Sequence, residues 1–310
     1  MNKIFSVLGW TNGQAVCFDR AAELLRNAFG GKITLNGFIA TLLVAAELLG
    51  MAVFRIPVYP RGEELDLTGY ELIMSDDFDG EDIDTDTWYF RSLGSGNSGC
   101  GFNCESQAKL RNGNLILTAE YLDAEKGKYG EGWYSAVLAL NQWYCKGYFE
   151  IRCICNKGEG FWSTFWLQSG HSYDLQSNGG IGGAEIDILE NSTFRSPFKK
   201  FKNCITQTVY CNGYDDDDEN IDKCQIRVAG DDIYNRYNTY GVKWTDDEYI
   251  FYVNGRETLR TSFGKGVSEV LENLIVGLEI PNELPKNIAA NKDYKTQMIV
   301  DYVKVYQPEQ

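Results

Sequence analysis

The stretch GYFEIRCIC, residues 147–155, alternates between two sets of side chains. Successive side chains of an extended strand point to opposite faces. One face would therefore carry Phe149, Ile151, Cys153 and Cys155, while Glu150 and Arg152 lie on the other. This period of two predicts a strand with one buried face, as antiparallel sheets have.

The same strand-and-turn pattern recurs along the chain. YIFYVNGRE (249–257) reads as a strand that enters an Asn-Gly hairpin turn, and QMIVDYVKVY (297–306) reads as a closing strand. No comparable helical periodicity follows residue 70. Many short strands separated by turns predict an all-β, antiparallel β-sandwich from about residue 61 to residue 310.

Composition narrows the functional classes. The 310 residues carry a net charge of −15, 14% aromatic residues and a single histidine, His171. An acidic chain is a poor partner for nucleic acid and for anionic membrane surfaces. One histidine argues against histidine-rich zinc sites, so general acid–base chemistry would fall to carboxylates. Abundant aromatic rings suit the flat apolar faces of sugars.

Residues 1–60 differ from the rest and form a separate N-terminal segment. A short helix is expected at 21–29, and residues 33–54 contain a marginal membrane-spanning run whose only acid is Glu47. We expect a membrane anchor or an export signal, and a helical segment packed on the main domain is the alternative. An anchored or exported chain would place the sandwich outside the cell.

Nine cysteines are many for a cytosolic protein. Their spacing contains no paired zinc motif, and a bridge between Cys100 and Cys104 across a loop is conceivable. The pairing of the others is left open.

Three acids are crowded into GGAEIDILEN, residues 182–191: Glu185, Asp187 and Glu190. In a regular strand Glu190 would point away from the other two. A β-bulge near Ile188 and Leu189 would return it to their face. Four pleated steps span about 13 Å, and two inclined glutamates of about 4 Å reach would leave roughly 5 Å between carboxyl groups. That separation is typical of a retaining glycosidase. An exposed acidic strand edge is the structural alternative.

The preceding stretch FWSTFWLQ (161–168) carries large apolar groups on both faces. Trp162 and Trp166 share the partly polar face with Thr164 and Gln168, where they could form a platform for sugar rings. A strand buried on both sides is the alternative.

GEGFWSTFWL followed by EIDILE resembles glycoside hydrolase family 16, a family of β-jelly-roll sandwiches with a concave substrate cleft. Further similar stretches run in order from about Leu72 to Tyr306, including DDFDG (76–80), GFNCESQ (101–107) and RNGNLILTAE (111–120). The resemblance implies a retaining endo-β-glycanase with Glu185 as nucleophile, Asp187 as its helper and Glu190 as acid/base. It further implies substrate-binding roles for Trp162, Trp166, Asn103 and Glu105.

The resemblance also implies a metal. In many members an acid at the position of Asp301 binds a structural calcium ion on the convex face, which the carbonyl of Gly113 and a group near Asp77 would complete. The pattern of the last strand places Asp301 on one face with Ile299, Val303 and Val305, and an acid there needs a partner. No cofactor is expected in the chemistry itself.

Departures from the family pattern lie next to the sugar subsites. VYCNGY (209–214) and Ser163-Thr164 stand where many relatives have other residues. These departures leave the substrate open within the class: a β-1,3- or mixed β-1,3/1,4-glucan is expected, and a galactan or host glycan is the alternative. A lectin that binds sugar without cutting it and a structural, calcium-binding sandwich are the alternatives from other classes.

Overall fold

The computed structural model describes residue 57 and residues 59–95, 100–157, 159–172, 175–191, 194–195, 200–201, 203–211, 222–229, 231–262 and 264–309. The predicted N-terminal helix and the candidate membrane segment 33–54 lie outside these residues. Within the described part of the chain, no helix is long and apolar enough to cross a membrane.

Strands account for nearly all regular structure. They are β1 (Tyr70–Asp76), β2 (Trp88–Phe90), β3 (Gly101–Asn103), β4 (Ala108–Leu110), β5 (Leu115–Leu122), β6 (Gly132–Ser135), β7 (Val137–Tyr144), β8 (Gly147–Ile154), β9 (Trp162–Gln168), β10 (Glu185–Glu190), β11 (Phe194–Arg195), β12 (Lys200–Phe201), β13 (Cys204–Cys211), β14 (Asp222–Ala229), β15 (Asn238–Trp244), β16 (Tyr249–Val253), β17 (Arg256–Thr261), β18 (Glu272–Glu279) and β19 (Lys295–Pro308). The helices are short: two 3₁₀ segments, Glu105–Gln107 and Leu175–Gly180, and α1, Lys286–Ala289.

The described strands form two large sheets and one small hairpin. The first sheet has the order β17-β16-β15-β8-β19-β5-β6-β3, with β1 also paired to β19 and β4 to β5. The second has the order β14-β13-β10-β9-β18-β7-β2, and β11 pairs with β12. Neighbours are antiparallel except β3 and β6. The all-β antiparallel sandwich predicted from the sequence is thus confirmed.

The core between the sheets is built from the faces that the period of two selects. Phe149, Ile151 and Cys153 of β8 are fully buried, whereas Arg152 between them is only partly covered. Side chains of β10 and β18 from the second sheet join the same apolar cluster. This alternation confirms the assignment of the two faces of residues 147–155.

The hairpin turn between β16 and β17 also forms as predicted. Asn254 and Gly255 both have positive φ, 50° and 71°, which a two-residue turn of this hand requires. Asparagine and glycine adopt that conformation at little cost because one has a short polar side chain and the other has none.

Cys100 and Cys104 are both free thiols, so the conceivable bridge between them is absent. The Cys100 thiol instead donates to the carbonyl of Asn282 at 2.5 Å, and Cys104 Sγ accepts from Ser106 Oγ at 3.3 Å.

Candidate active site

The three acids of residues 185–190 lie on one face because β10 contains a bulge. On β9, Asp187 is opposite Trp166 and Leu189 is opposite Phe165, so two steps of β10 match one step of its partner. The register against β13 slips by one residue over the same interval. Ile188 and Leu189 are consecutive, yet both are fully buried in the core. A bulge at this point explains why two neighbouring side chains lie on the same side of the sheet.

A cavity of about 780 Å³ lies over the second sheet at this bulge. Its lining includes all three acids of the triplet and both tryptophans of β9. The other lining residues are Arg91, Thr164, Glu279, Pro281, Asn282 and Glu283. The structure therefore brings together Glu185, Asp187, Glu190, Trp162 and Trp166, which the sequence had singled out separately.

The tryptophans offer the cavity polar as well as apolar groups. Phe165 and Leu167 of β9 enter the core, while Trp162 and Trp166 face the cavity. Among the described residues, neither buried indole nitrogen has a hydrogen-bond partner of regular geometry. Two unpaired N–H donors at an otherwise acidic wall are suited to a ligand rich in hydroxyl groups.

Glu190 occupies an environment that favours its protonated form. Burial raises the pKa of its carboxyl, and two hydrogen-bond donors oppose that shift. The Thr206 hydroxyl donates to Glu190 Oε2 at 3.3 Å, and the indole N–H of Trp162 acts from just outside regular hydrogen-bond geometry. A carboxyl held neutral in this way can serve as a proton donor near neutral pH.

Asp187, between the two glutamates, has an even more strongly perturbed pKa. Burial raises the pKa of its carboxyl well above the usual range, and the charges of Glu185 and Glu190 raise it further. Burial, rather than the charge of Asp187, is the main cause of the raised pKa of Glu190.

A glutamine and an arginine support the first acid of the triplet. Gln168 Nε2 donates to Glu185 Oε2 at 3.1 Å, and Gln168 Oε1 accepts from an Arg91 Nη2 at 2.5 Å. The Arg91 guanidinium lies over the Trp166 ring, 4.8 Å from its centroid. Sequence reasoning had placed Gln168 on the correct face but had not identified Arg91. Arg91 lies 77 residues from Gln168 in the chain, and no local pattern marks it.

Glu279 is a second residue that the sequence reasoning missed. It is buried, lies opposite Trp162 on β18, and burial raises the pKa of its carboxyl to about 7. A usable signal was present, since LIVGLEI (274–280) places a charge inside an apolar run. Buried acids without a structural reason in the sequence often mark functional sites.

Asn103 and Glu105 do not line the cavity that contains the acids. Asn103 ends β3 and is 2% exposed, with its side-chain oxygen unpartnered among the described residues. Glu105 pairs with Lys128 at 2.9 Å and lines a separate cavity of about 500 Å³ with Glu81 and other residues. The Glu105 carboxylate is therefore engaged with Lys128 at the start of the 3₁₀ turn Glu105–Gln107.

The residues expected to bind calcium do not fit a metal site. Asp301 forms an ion pair with Arg152, whose guanidinium also lies over the Tyr237 ring at 4.5 Å. No group of three or more histidine, cysteine, aspartate or glutamate side chains that could hold a metal ion is found in the part of the chain that the structure describes. The backbone at Gly113 approaches Asp79, because a Cβ there would lie 2.9 Å from Asp79 Oδ1. Asp301 thus has a cationic partner from the protein itself.

The predicted face of Asp301 is also wrong, for a backbone reason. The register of β19 against β8 shifts between Val300 and Tyr302. Val300 and Val303 are therefore both in the core, while Asp301 lies in the irregular step and turns outward. A strict period of two across residues 297–306 could not include this bulge.

Comparison with known proteins gives a consistent family. The model of the beta-porphyranase A–D glycoside hydrolase family 16 domain matches residues 72–308. A beta-glucanase of Acetivibrio thermocellus is 26% identical over 278 residues, covering 86% of this chain and 72% of that protein. The chain spans 58%, 34% and 39% of the lengths of the next three relatives.

Solved structures share the fold. A non-specific endo-beta-1,3(4)-glucanase of family 16, SCLam, superposes with a TM-score of 0.64 at 21% identity, covering 81% of this chain and 97% of that one. Porphyranase B from Zobellia galactanivorans gives 0.62 at 22% identity, covering 81% and 98%. These neighbours confirm the jelly-roll sandwich, and the family match supports a glycoside hydrolase over the lectin and structural alternatives. The chain belongs to glycoside hydrolase family 16, and it is an endo-β-glycosidase.

Proposed function

We propose that this protein cuts internal β-glycosidic bonds of a polysaccharide by double displacement, with retention of the anomeric configuration. In the first step a Glu185 oxygen attacks the anomeric carbon while Glu190 gives its proton to the departing glycosidic oxygen. In the second step Glu190 takes a proton from water, the water oxygen bonds to the anomeric carbon, and the bond to Glu185 breaks.

The bulge in β10 is the observation that carries this proposal. Glu185 is opposite Tyr210 and Glu190 is opposite Thr206, so the two acids are four strand steps apart although they lie five positions apart in sequence. Four steps span about 13 Å between Cα atoms, and two glutamate side chains inclined toward each other leave roughly 5 Å. That spacing supports a nucleophile and an acid/base on the same bond rather than an inverting pair with a water between them.

Asp187 supports both steps as a neighbour of the nucleophile. The raised pKa of its buried carboxyl favours the neutral form, which adds no second negative charge beside Glu185. A protonated carboxyl is also a hydrogen-bond donor, whereas an ionised one only accepts. Asp187 can therefore steady the Glu185 carboxylate as it departs from the sugar.

Trp162 and Trp166 supply the proposed sugar platform. Their rings provide apolar faces along the cavity, and their N–H groups, which have no partner of regular geometry among the described residues, can donate to sugar hydroxyls. The five acids that line the cavity face a single described cation there, Arg91, which favours a substrate without many carboxylates of its own.

The roles of the two acids can be separated with azide. With an aryl β-glycoside that has a good leaving group, Glu185→Ala in azide should form an α-glycosyl azide, because azide replaces the missing nucleophile. Glu190→Ala should instead form the β-glycosyl azide from the covalent intermediate. Against polysaccharide, loss of the acid/base should lower the rate about 10²- to 10⁴-fold.

Glu71→Gln is the matched control for these variants. Glu71 is exposed on β1 in the other sheet, so its charge can be removed without touching the cavity. Full activity of Glu185→Ala, or a single azide anomer from both variants, would contradict the assignment.

For the substrate, we propose a β-1,3- or mixed β-1,3/1,4-glucan first, because the beta-glucanase relative and the SCLam neighbour carry glucanase names. A β-linked galactan is the second candidate. The family model named for beta-porphyranases and the structure of porphyranase B favour it. Incubation with laminarin, lichenan, agarose and porphyran, followed by linkage and anomeric analysis of the oligosaccharides, distinguishes the two.

We also propose that the sandwich works outside the cell, since a polysaccharide too large to enter must be cut there. The segment that would attach it, residues 33–54, lies outside the described residues. Full-length protein should partition with membranes, and a variant that lacks residues 1–56 should not. Recovery of the full-length chain in the soluble fraction without detergent would contradict attachment.

A further inference from the structure

The side-chain amide of Gln168 lies between the nucleophile of the proposed function and a cation. Gln168 ends β9, directly opposite Glu185 on β10 and Asn273 on β18. It is 6% exposed, so both ends of its amide must find protein partners. Those partners are Glu185 Oε2 at 3.1 Å from Nε2 and an Arg91 Nη2 at 2.5 Å from Oε1.

Arg91 determines which way round this amide sits. A guanidinium carries only donors, so the group it meets must be the amide oxygen. The amide nitrogen then faces Glu185 and donates a hydrogen bond to its carboxyl group. An ionised carboxylate is the better acceptor of that hydrogen bond. Arg91 thus determines that the amide N–H, and not the amide oxygen, of Gln168 faces Glu185, although Arg91 is not a partner in that hydrogen bond.

The position of Arg91 is itself restrained. Its backbone N–H donates to the carbonyl of Val137 at 2.9 Å, and its guanidinium lies over Trp166. Stacking on an indole and a charged hydrogen bond leave the side chain few alternatives.

We propose that Gln168 and Arg91 act as a positioning relay for the nucleophile. The Arg91 charge orients the Gln168 amide, and the amide N–H holds Glu185 in its ionised form and at one angle to the anomeric carbon. The inference rests on the proposed role of Glu185. It assigns Arg91 to the nucleophile rather than to the substrate, although Arg91 lines the same cavity.

The relay has a signature in the pH profile. The acid limb of kcat/KM reports the ionisation of the nucleophile in the free enzyme, and removing a donor from Glu185 should move that limb to higher pH. Other charged or titratable groups also surround Glu185 and stay in place in the variants. They are Asp187 and Glu190 on its own strand, Tyr210 on β13, and Glu272 and Glu279 on β18.

The first variant is Gln168→Met, which preserves length but removes the donor. We expect kcat/KM to fall about 10- to 100-fold, as loss of a hydrogen bond to a charged group does. The acid limb should rise by about one pH unit. Gln142→Met on the exposed part of β7 is the matched control and should leave both unchanged. Urea unfolding of each variant confirms that the folded protein is compared.

The second variant separates a relay from direct sugar binding by Arg91. Arg91→Met should shift the acid limb in the same direction, while Arg91→Lys, which keeps a donor-only cation, should restore most of the wild-type profile. If Arg91 acts only through Gln168, the double variant should be no worse than Gln168→Met alone. Multiplied effects of the two changes, or an Arg91 effect confined to KM, would overturn the relay.

The outcomes also separate the relay from the proposed function. If Glu185→Ala is inactive and yields an α-glycosyl azide while Gln168→Met keeps the wild-type profile, the relay alone is wrong. If Glu185→Ala retains activity, the nucleophile is wrong and the relay falls with it.

Discussion

At the scale of single residues, the two glutamates of the triplet have different surroundings. Glu190 is partly buried, and its desolvation favours the neutral acid, whereas Glu185 accepts a hydrogen bond from an amide whose orientation Arg91 sets. Pairs of acids whose environments differ in this way can divide the roles of acid and nucleophile. The division follows from neighbours on other strands, since both residues are glutamates on one strand face.

Thr206 sets how far the pKa of Glu190 is raised. Its hydroxyl donates to Glu190 Oε2 and lowers that pKa, so Thr206→Val should raise it. The acid would then stay protonated to higher pH, and the basic limb of the kcat profile should move upward by several tenths of a unit to about one unit. Thr206→Ser keeps the hydroxyl and serves as the control. A basic limb that moves to lower pH in Thr206→Val would contradict this account.

At the scale of elements, the bulge in β10 converts a five-residue spacing into four strand steps. The extra residue is accommodated because Ile188 and Leu189 both have places in the core. The geometry of the acids therefore depends on apolar packing behind them, on the side of the sheet that substrate never touches.

Deleting Ile188 tests this reading of the bulge. A regular strand with Glu185 and Glu190 four residues apart would still place both acids on one face. The deletion should therefore retain measurable activity, although loss of a buried isoleucine should destabilise the fold by about 2–5 kcal/mol.

Deleting Ile186 is the matched control for that deletion. Ile186 is equally buried, but its loss would put Glu185 out of step with Asp187 and Glu190. We expect the folded fraction of this variant to be inactive. Circular dichroism measures that folded fraction, and glycan hydrolysis measures the activity. Equal loss of activity in the two deletions would show that the bulge is not what aligns the acids.

At the scale of the whole molecule, an ion pair between Asp301 and Arg152 lies on the outer face of the first sheet, where a calcium ion was expected. Asp301 and Arg152 are 30% and 38% exposed, so their ion pair is partly screened by water. Because Arg152 already neutralises Asp301, Asp301 needs no cation from solution. The fold should therefore be stable without calcium.

Chelation should accordingly leave the thermal midpoint unchanged. Arg152→Met should lower stability by about 1 kcal/mol, or roughly 2–4 °C, because Asp301 loses its partner. Addition of calcium should restore part of that loss in Arg152→Met and nothing in the wild type, and Arg152→Lys should be affected less. A fall of several degrees on adding EDTA to the wild type would contradict the internal ion pair.

Stability should also fall as pH rises. Glu272 at the start of β18 is fully buried and accepts the Ala184 N–H, and burial raises the pKa of its carboxyl from 4.5 to about 8. The folded state keeps its proton at pH values where the unfolded chain has lost it. Its contribution is thus fully present below about 4.5 and is lost as pH rises through about 8, on the order of a few kcal/mol.

Glu272→Gln should remove much of this dependence, because a neutral amide keeps an acceptor for Ala184. We expect the thermal midpoint of the wild type to drop between pH 6 and pH 9 and that of the variant to drop less. Glu269→Gln, on an exposed residue nearby, is the control. Parallel pH curves for wild type and Glu272→Gln would show that Glu272 does not set the decline.

The sequence by itself determined the strands, the buried faces and the identity of the acids. Alternation of side chains is a local property of extended backbone, so residues 147–155 reveal their faces without their neighbours. The spacing of Glu185, Asp187 and Glu190 predicted a bulge, because a catalytic pair needs both glutamates on one face of the strand. The motif resemblance added the family and the order of roles.

The tertiary structure alone decided which distant groups complete the site. Arg91 meets Gln168 across 77 residues, and Arg152 meets Asp301 across 149, through cross-strand contacts that no local pattern encodes. The bulge in β19 shows the same limit, because an extra residue is placed by packing on both sides of a strand. The alternation of side chains along a strand is a local property that the sequence shows directly. The partner of a buried or partly buried charge depends on which strands become neighbours when the sheets form.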